Sequence, residues 1–390
     1  MSHRRRLLLV IVSLLGTRSL LASTYAVGNC KPKLPNFPTI TAAVSGVPPN
    51  STIEVCPGVY PEQFTISQPL TLQGIVVGNA ARAVITVPIG ITGAPGLQAN
   101  TVSQETGVYL GGDFPFAAQV LVQTAGPVNI TDITIDGSGN NLACSVSPYI
   151  WLAGVFYTSG SSGTVNRVTT RNQLDQGCGN GIWVEDTTGP GQAVSILHSS
   201  MHDFDFSGIF AGTDGFDSWL SVSIKGNAVN GQSLVNQYGA AGINTSFATA
   251  TVSGNVVTDG SVGIFNLSSA PLATVSGNTV ADAASGIVTG YDGGIINSNK
   301  ISNTSTAVDL QSNDATAGSN TITHATVAID FECNTDTVEA NVINDAMTAL
   351  DQIPATLASS NTYDNVDAIR VNCAASNSVR KPVSFKLAGR

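Results

Sequence analysis

Carboxylates recur at a fixed interval near the end of this chain. Asp309, Asp330 and Asp351 are 21 residues apart, and Glu332 follows Asp330 by two. If residues one interval apart lie on neighbouring strands, these acids stack at ~4.8 Å. Ionised groups that close repel unless a cation, Arg370 or a shared proton relieves them. Two chemistries fit. Asp330, Glu332 and Asp351 offer hard oxygen ligands, so calcium is the candidate cofactor, although nothing in the sequence requires one. Asp309, Asp330 and Asp351 also offer carboxylate pairs ~5 Å apart on adjacent strands and ~9.6 Å apart on alternate strands. Those spacings lie near the separations used in retaining and inverting glycoside hydrolysis. The bland alternative is a water-screened acidic ladder without chemistry.

A second set lies mid-chain. Residues 149–219 hold all the tryptophans, Trp151, Trp183 and Trp219, among many acids. His202, Asp203 and Asp205 are the acid–base candidates, because imidazole beside carboxylate is a proton-transfer pair. Trp183, Phe210 and Trp219 offer flat faces to a sugar ring, and Glu185 and Arg370 offer hydrogen bonds to hydroxyls. The competing reading is that the aromatic residues are packing and the acids only solvate a loop.

What must position these residues is a repeat. Asn recurs at 227, 255, 278, 299, 320, 341 and 361, usually after Gly. A second column pairs a small residue with an aliphatic: Gly181-Ile182, Gly208-Ile209, Gly242-Ile243, Gly263-Ile264, Gly286-Ile287, Ala307-Val308, Ala328-Ile329, Ala349-Leu350 and Ala368-Ile369. A period near 21 with short β-prone runs indicates a solenoid whose coils each hold about three short strands. The Asn column reads as a structural ladder, since Asn tolerates left-handed backbone and stacked amides bond one another. With the aliphatics inward, the next residue faces out. That outward column runs Trp183, Phe210, Asn244, Phe265, Val288, Asp309, Asp330, Asp351, Arg370. Aromatic residues fill its first part and carboxylates its last. The residues four after each Asn, His324 among them, read as turn chemistry.

The first part of the chain fits the same plan. Phe37, Ile40, Val44 and Val47 lie at helical spacing, which predicts a short N-terminal cap helix over the first open coil. Strands are predicted over 52–56, 63–66, 70–73 and 83–87. The segments STIEVCPGVYPEQFTISQPLTLQG (51–74) and VNITDITIDGSG (128–139), with the two columns, resemble the right-handed parallel β-helix family of pectin-lyase-like proteins. The resemblance implies an all-β fold, a single right-handed parallel β-helix over nearly the whole mature chain. It names no activity, because that family holds lyases, hydrolases, esterases, epimerases and adhesins. Gly58-Val59-Tyr60-Pro61-Glu62 is similar to a pectinesterase opening, but the aspartate segments of those enzymes are missing. The Arg-Pro-x-x-Arg motif of pectate lyases is also missing. Asn334-Thr335-Asp336 matches one polygalacturonase motif alone.

Composition narrows the partners. The 390 residues are 11% charged with a formal charge of −10. Such acidity disfavours nucleic acid and anionic membranes. Arg4-Arg5-Arg6, the apolar run 7–15 and Thr24-Tyr25-Ala26 predict a signal peptide over 1–26. The β-helix domain is then 27–379, with a basic tail at 380–390. No later segment is apolar enough to span a bilayer. Six cysteines in an exported chain predict disulfides, paired by sequence order as Cys30–Cys56, Cys144–Cys178 and Cys333–Cys373. The reading is a secreted, periplasmic or cell-surface protein that binds a polysaccharide or surface glycan along its aromatic and acidic strand face. The alternatives are a polysaccharide hydrolase or lyase that uses the stacked carboxylates, and a structural or adhesive solenoid without catalysis.

Overall fold

The computed structural model describes residues 23–76, 82–90, 93–103, 114–144, 149–158, 160–186, 189, 191–213, 220–232, 240–268, 273–291, 293–312, 314–331, 336–353 and 358–370. Trp219, Glu332, Cys333, Cys373, residues 1–22 and the basic tail lie outside them. Among the described residues the chain winds into a parallel β-helix. One sheet of thirteen strands forms one wall, and a sheet of twenty-one strands bends around the other two. A typical coil runs Ser221–Lys225, Ala228–Asn230 and Ala241–Ser246, and then re-enters the first wall at Thr249–Ser253. Pairing between coils is parallel, with Ser223 opposite Thr251, Val229 opposite Val257 and Ile243 opposite Ile264. The expected strands appear at Ser51–Val55, Phe64–Ile66, Leu70–Gly74 and Ala83–Thr86.

The aliphatic column forms the core. Ile182, Ile209, Ile243, Ile264, Ile287, Val308, Ile329 and Leu350 follow one another in register. All are buried, and each contributes about 1.5–3 kcal/mol. The small residue before each aliphatic is required by crowding. A Cβ on Gly208 would sit 2.7 Å from the carbonyl of Gly242.

The Asn column runs down one corner as a buried amide ladder. Each Asn Nδ2 donates to the Oδ1 of the next Asn at 2.9–3.0 Å, from Asn227 to Asn361. Each also donates to a backbone carbonyl of the coil before, as Asn278 does to Val252 at 3.0 Å. One expectation is corrected here. The left-handed residue is not Asn but the one preceding it: Gly226, Gly254, Gly277, Ser298, Ser319 and Ala340. Gly takes positive φ at little cost, which frees the Asn side chain to bond along the axis. The ladder begins one coil earlier than the Asn column, where Ser199 N–H donates to Asn227 Oδ1 at 2.9 Å.

The residues four after each Asn from 255 onward are left-handed bends, the last four of them inside longer strands rather than in turns. Asp259, Asp282, Asn303, His324, Asp345 and Asn365 all have φ between 50° and 64°. Residues Ile40–Gly46 form a short helix capped by Thr39, and Ile40, Ala43 and Val44 are buried. Phe37 lies not in this helix but in the two-residue strand Asn36–Phe37. Disulfides join Cys30 to Cys56 and Cys144 to Cys178. Thr24–Val27 is a strand paired with Thr52–Val55, and Ala26 is buried. A cut after Ala26 would therefore sever a paired strand. No helix of the described residues is long and apolar enough to cross a membrane.

Candidate functional site

The outward column keeps its predicted register on the wall that faces away from the core. Trp183 pairs with Phe210, Phe210 with Asn244, Asn244 with Phe265 and Phe265 with Val288. Val288 pairs with Asp309, Asp309 with Asp330 and Asp330 with Asp351. Its two parts differ in what covers them.

The aromatic part is buried, which corrects the expected solvent-facing platform. Trp183 and Phe210 stack with centroids 3.7 Å apart and planes 11° apart. They are only 0% and 1% exposed. Phe116 at 4.9 Å, Trp151 at 5.9 Å and Phe156 at 6.3 Å crowd Trp183. With Phe206, Phe247, Phe265 and Cys178 they form a second apolar cluster, separate from the lumen core. Packing into this cluster makes an outward side chain an interior one. Glu185 is buried as well, and accepts hydrogen bonds from Ser103 Oγ at 2.6 Å and Trp183 Nε1 at 3.2 Å.

The acidic part remains partly open to solvent. Gln311 Nε2 donates to Asp309 Oδ2 at 2.7 Å, and Gln352 Nε2 to Asp330 Oδ1 at 3.3 Å. Arg370 lies 3.3 Å from Asp351 Oδ2 as donor and counter-ion. Amide and guanidinium donors thus relieve the stacked charges. Among the described residues no three His, Cys, Asp or Glu side chains gather as a metal site. Glu332, one of the three expected calcium ligands, lies outside the described residues.

The mid-chain acid–base candidates separate. His202 Nδ1 and Asp203 Oδ2 are 2.6 Å apart and half-exposed. Asp205 points elsewhere and is 5% exposed. It accepts from the backbone N–H of Asp175 at 3.0 Å and of Gly179 at 2.6 Å. Asp205 is thus a backbone tie beside the Cys144–Cys178 bridge, not the partner of His202. The reason is local: Asp203 takes φ 56°, and the turn it makes sends the following residues inward.

Sequence reasoning missed Asp175. It is 1% exposed and accepts from Cys178 N–H at 2.7 Å. Burial, then the neighbouring Asp205 charge, push its carboxyl up to about 8. Asp336, the last residue of the isolated Asn-Thr-Asp match, is a similar case at 3% exposure. It accepts from Ala315 N–H at 2.6 Å, and burial pushes it up to about 7. Only an acid falling where the repeat places Gly294 and Ala315 hints at this from the sequence.

No family model matches the chain, and no curated protein matches it. Solved structures do. The GH136 lacto-N-biosidase from Eubacterium ramulus aligns over 88% of this chain at TM-score 0.53 and 13% identity. The chain spans 65% of that enzyme's length. XylC in complex with xylose aligns over 88% of this chain and 86% of its own at TM-score 0.55 and 11% identity. The family 28 exopolygalacturonase from Yersinia enterocolitica aligns over 84% of this chain and 72% of its own at TM-score 0.53 and 12% identity. At such identities the likeness speaks to architecture. The chain has the right-handed parallel β-helix fold of the pectin-lyase-like proteins.

Proposed function

We propose that this is an exported β-helix protein that binds glycan along the open, acidic strip of its outward wall. The observation that carries the reading is the in-register column Asp309, Asp330, Asp351 with Arg370 beside it. Carboxylates and amides at strand intervals accept and donate hydrogen bonds to successive hydroxyls of an extended chain. The solved structures that share the fold, a lacto-N-biosidase, an exopolygalacturonase and a xylose complex, support the ligand class. Trp183, Phe210 and Glu185, buried at the other end of the same face, then do not touch sugar.

A second reading, glycoside cleavage, is favoured by one specific feature: the register sets neighbouring acids one strand spacing, ~4.8 Å, apart, near the ~5 Å separation of retaining enzymes. In that case one of Asp309, Asp330 and Asp351 acts as nucleophile and its neighbour as acid. Two disulfides suit an oxidising compartment. Export would then remove a leader upstream of Thr24, a cut that N-terminal sequencing of the secreted protein checks. Helix 40–46 would seal the first coil against edge pairing.

The test is retention of the full chain on immobilised neutral and acidic polysaccharides, with analysis of released reducing ends. Binding that falls at least about tenfold (~1.4 kcal/mol) in an Asp330→Asn/Asp351→Asn double variant supports the strip. Release of reducing ends that the variant abolishes moves the reading to hydrolysis. A wild-type chain that neither binds nor cleaves any of them leaves a structural solenoid and ends the proposal.

A further inference from the structure

A different wall carries an open groove of about 390 Å³. Strands Ser200–Met201, Ala228–Asn230 and Val256–Thr258 form it, and Gln232 walls one side. These strands pair in register, so Ser200, Ala228 and Val256 form one outward row. The groove exists because that row is small: Ala228 leaves a dip, and Val256 is 48% exposed. The next residues in the row are Thr279 and the longer Lys300.

The polar groups around this apolar floor divide into two kinds. Some are tied within the protein. Asn230 Nδ2 donates to Asp259 Oδ2 at 3.0 Å, and Asn230 Oδ1 accepts from Gln232 N–H at 2.9 Å, which sets the Gln232 wall. Asp203 holds His202 through Nδ1 at 2.6 Å. An ionised carboxylate only accepts, so Nδ1 carries the proton, and Nε2 is the ring nitrogen left for a ligand. The others, Ser200 Oγ, Thr258 Oγ1, the Gln232 amide and His202 Nε2, have no hydrogen-bond partner among the described residues. A small apolar floor ringed by uncommitted donors and acceptors matches a ring that is apolar on one face and hydroxylated at its edge. The volume falls within the ~300–1,000 Å³ of small-molecule sites.

We propose that this groove is a second binding site, which takes one pyranose unit, with Ala228 and Val256 under the ring and His202, Ser200 and Gln232 at its hydroxyls. It shares only a ligand class with the acidic strip, lies on another wall and stands if that strip proves inert. Asp203 is the positioning residue, since it acts through His202.

Ligand-observed NMR titration of the full chain with methyl α-glucoside, methyl β-xyloside, galactose and N-acetylglucosamine tests it. At least one sugar is expected to saturate. Ala228→Phe, which fills the floor, and His202→Ala are each expected to weaken that binding about tenfold or more. The Asp330→Asn/Asp351→Asn variant is expected to leave it unchanged, which separates this site from the strip. Far-UV circular dichroism and melting confirm that each variant is folded. If none of the four sugars saturates, or if a folded Ala228→Phe protein binds as well as wild type, the groove is not a sugar site. Asp203→Asn adds a readout that loss of packing would not move: binding should weaken while the melting temperature holds.

Discussion

Two stretches of one wall share a column, a register and a strand spacing, yet behave oppositely. From Trp183 to Val288 the outward side chains are interior. From Asp309 to Asp351 they meet solvent. The difference is that the aromatic stretch belongs to a second apolar cluster, with Phe116, Trp151, Cys178 and Phe206, which the acidic stretch does not join. Facing outward in a coil thus says which way a side chain leaves the strand, and not whether water reaches it. In a solenoid the lumen core is obligatory, while a second core on the outside is optional and depends on what the turns bring.

The contrast can be broken most directly by truncation. Trp183→Ala should cost about 3–5 kcal/mol, because it removes a buried ring and leaves a cavity beneath Phe116 and Phe210. Asp330→Asn, at the matching position of the open stretch, should stay within about 0.5 kcal/mol. Urea unfolding of both variants measures this, and equal losses would mean that the two stretches are packed alike.

The Asn ladder runs under both stretches, so it should be indifferent to them. Asn255→Ala and Asn320→Ala should each cost about 2 kcal/mol, since each leaves a buried backbone N–H and a neighbouring amide unpaired. Unequal losses by hydrogen exchange of the adjoining coils would show that the outer core stiffens the ladder.

A gentler probe is pH. Asp175 belongs to the aromatic stretch and Asp336 to the acidic one. Each holds its proton in the fold to about 8 and about 7, from an ordinary value of 3.8. The unfolded chain has lost both protons above pH ~4, so folding takes protons up, and rising pH opposes it. Stability should fall between pH ~4 and 8, with a slope of at most about 1.4 kcal/mol per pH unit for each group. Asp175→Asn should roughly halve the slope between pH ~4 and 7 and abolish it between 7 and 8, whereas Asp336→Asn should lessen it only below about 7. Melting curves against pH decide this, and a wild-type profile that rises with pH would overturn the assignment.

Much of this arrangement is legible along the chain. The interval between Ile264 and Ile287, or between Asn299 and Asn320, announces stacked coils because only residues on neighbouring strands need matching side chains. The pairings Cys30–Cys56 and Cys144–Cys178 follow from order along a tube, where near neighbours in sequence are near in space. Less could be read at the irregular coils. His202, Asp203 and Asp205 look like one cluster, but a left-handed Asp203 splits them between a solvent groove and the interior.

The amino-acid sequence by itself determined the parallel β-helix, the inward aliphatic column, the amide ladder and the stack Asp309–Asp330–Asp351. Each depends on periodicity, and periodicity with strand alternation dictates register and facing. Only the tertiary structure decided that Trp183, Phe210 and Glu185 are covered, that Asp175 and Asp205 lie together in the interior, and that Ala228 leaves a groove. Those facts depend on which non-repeating segments pack against a wall, and packing between parts distant in the chain leaves no interval to read.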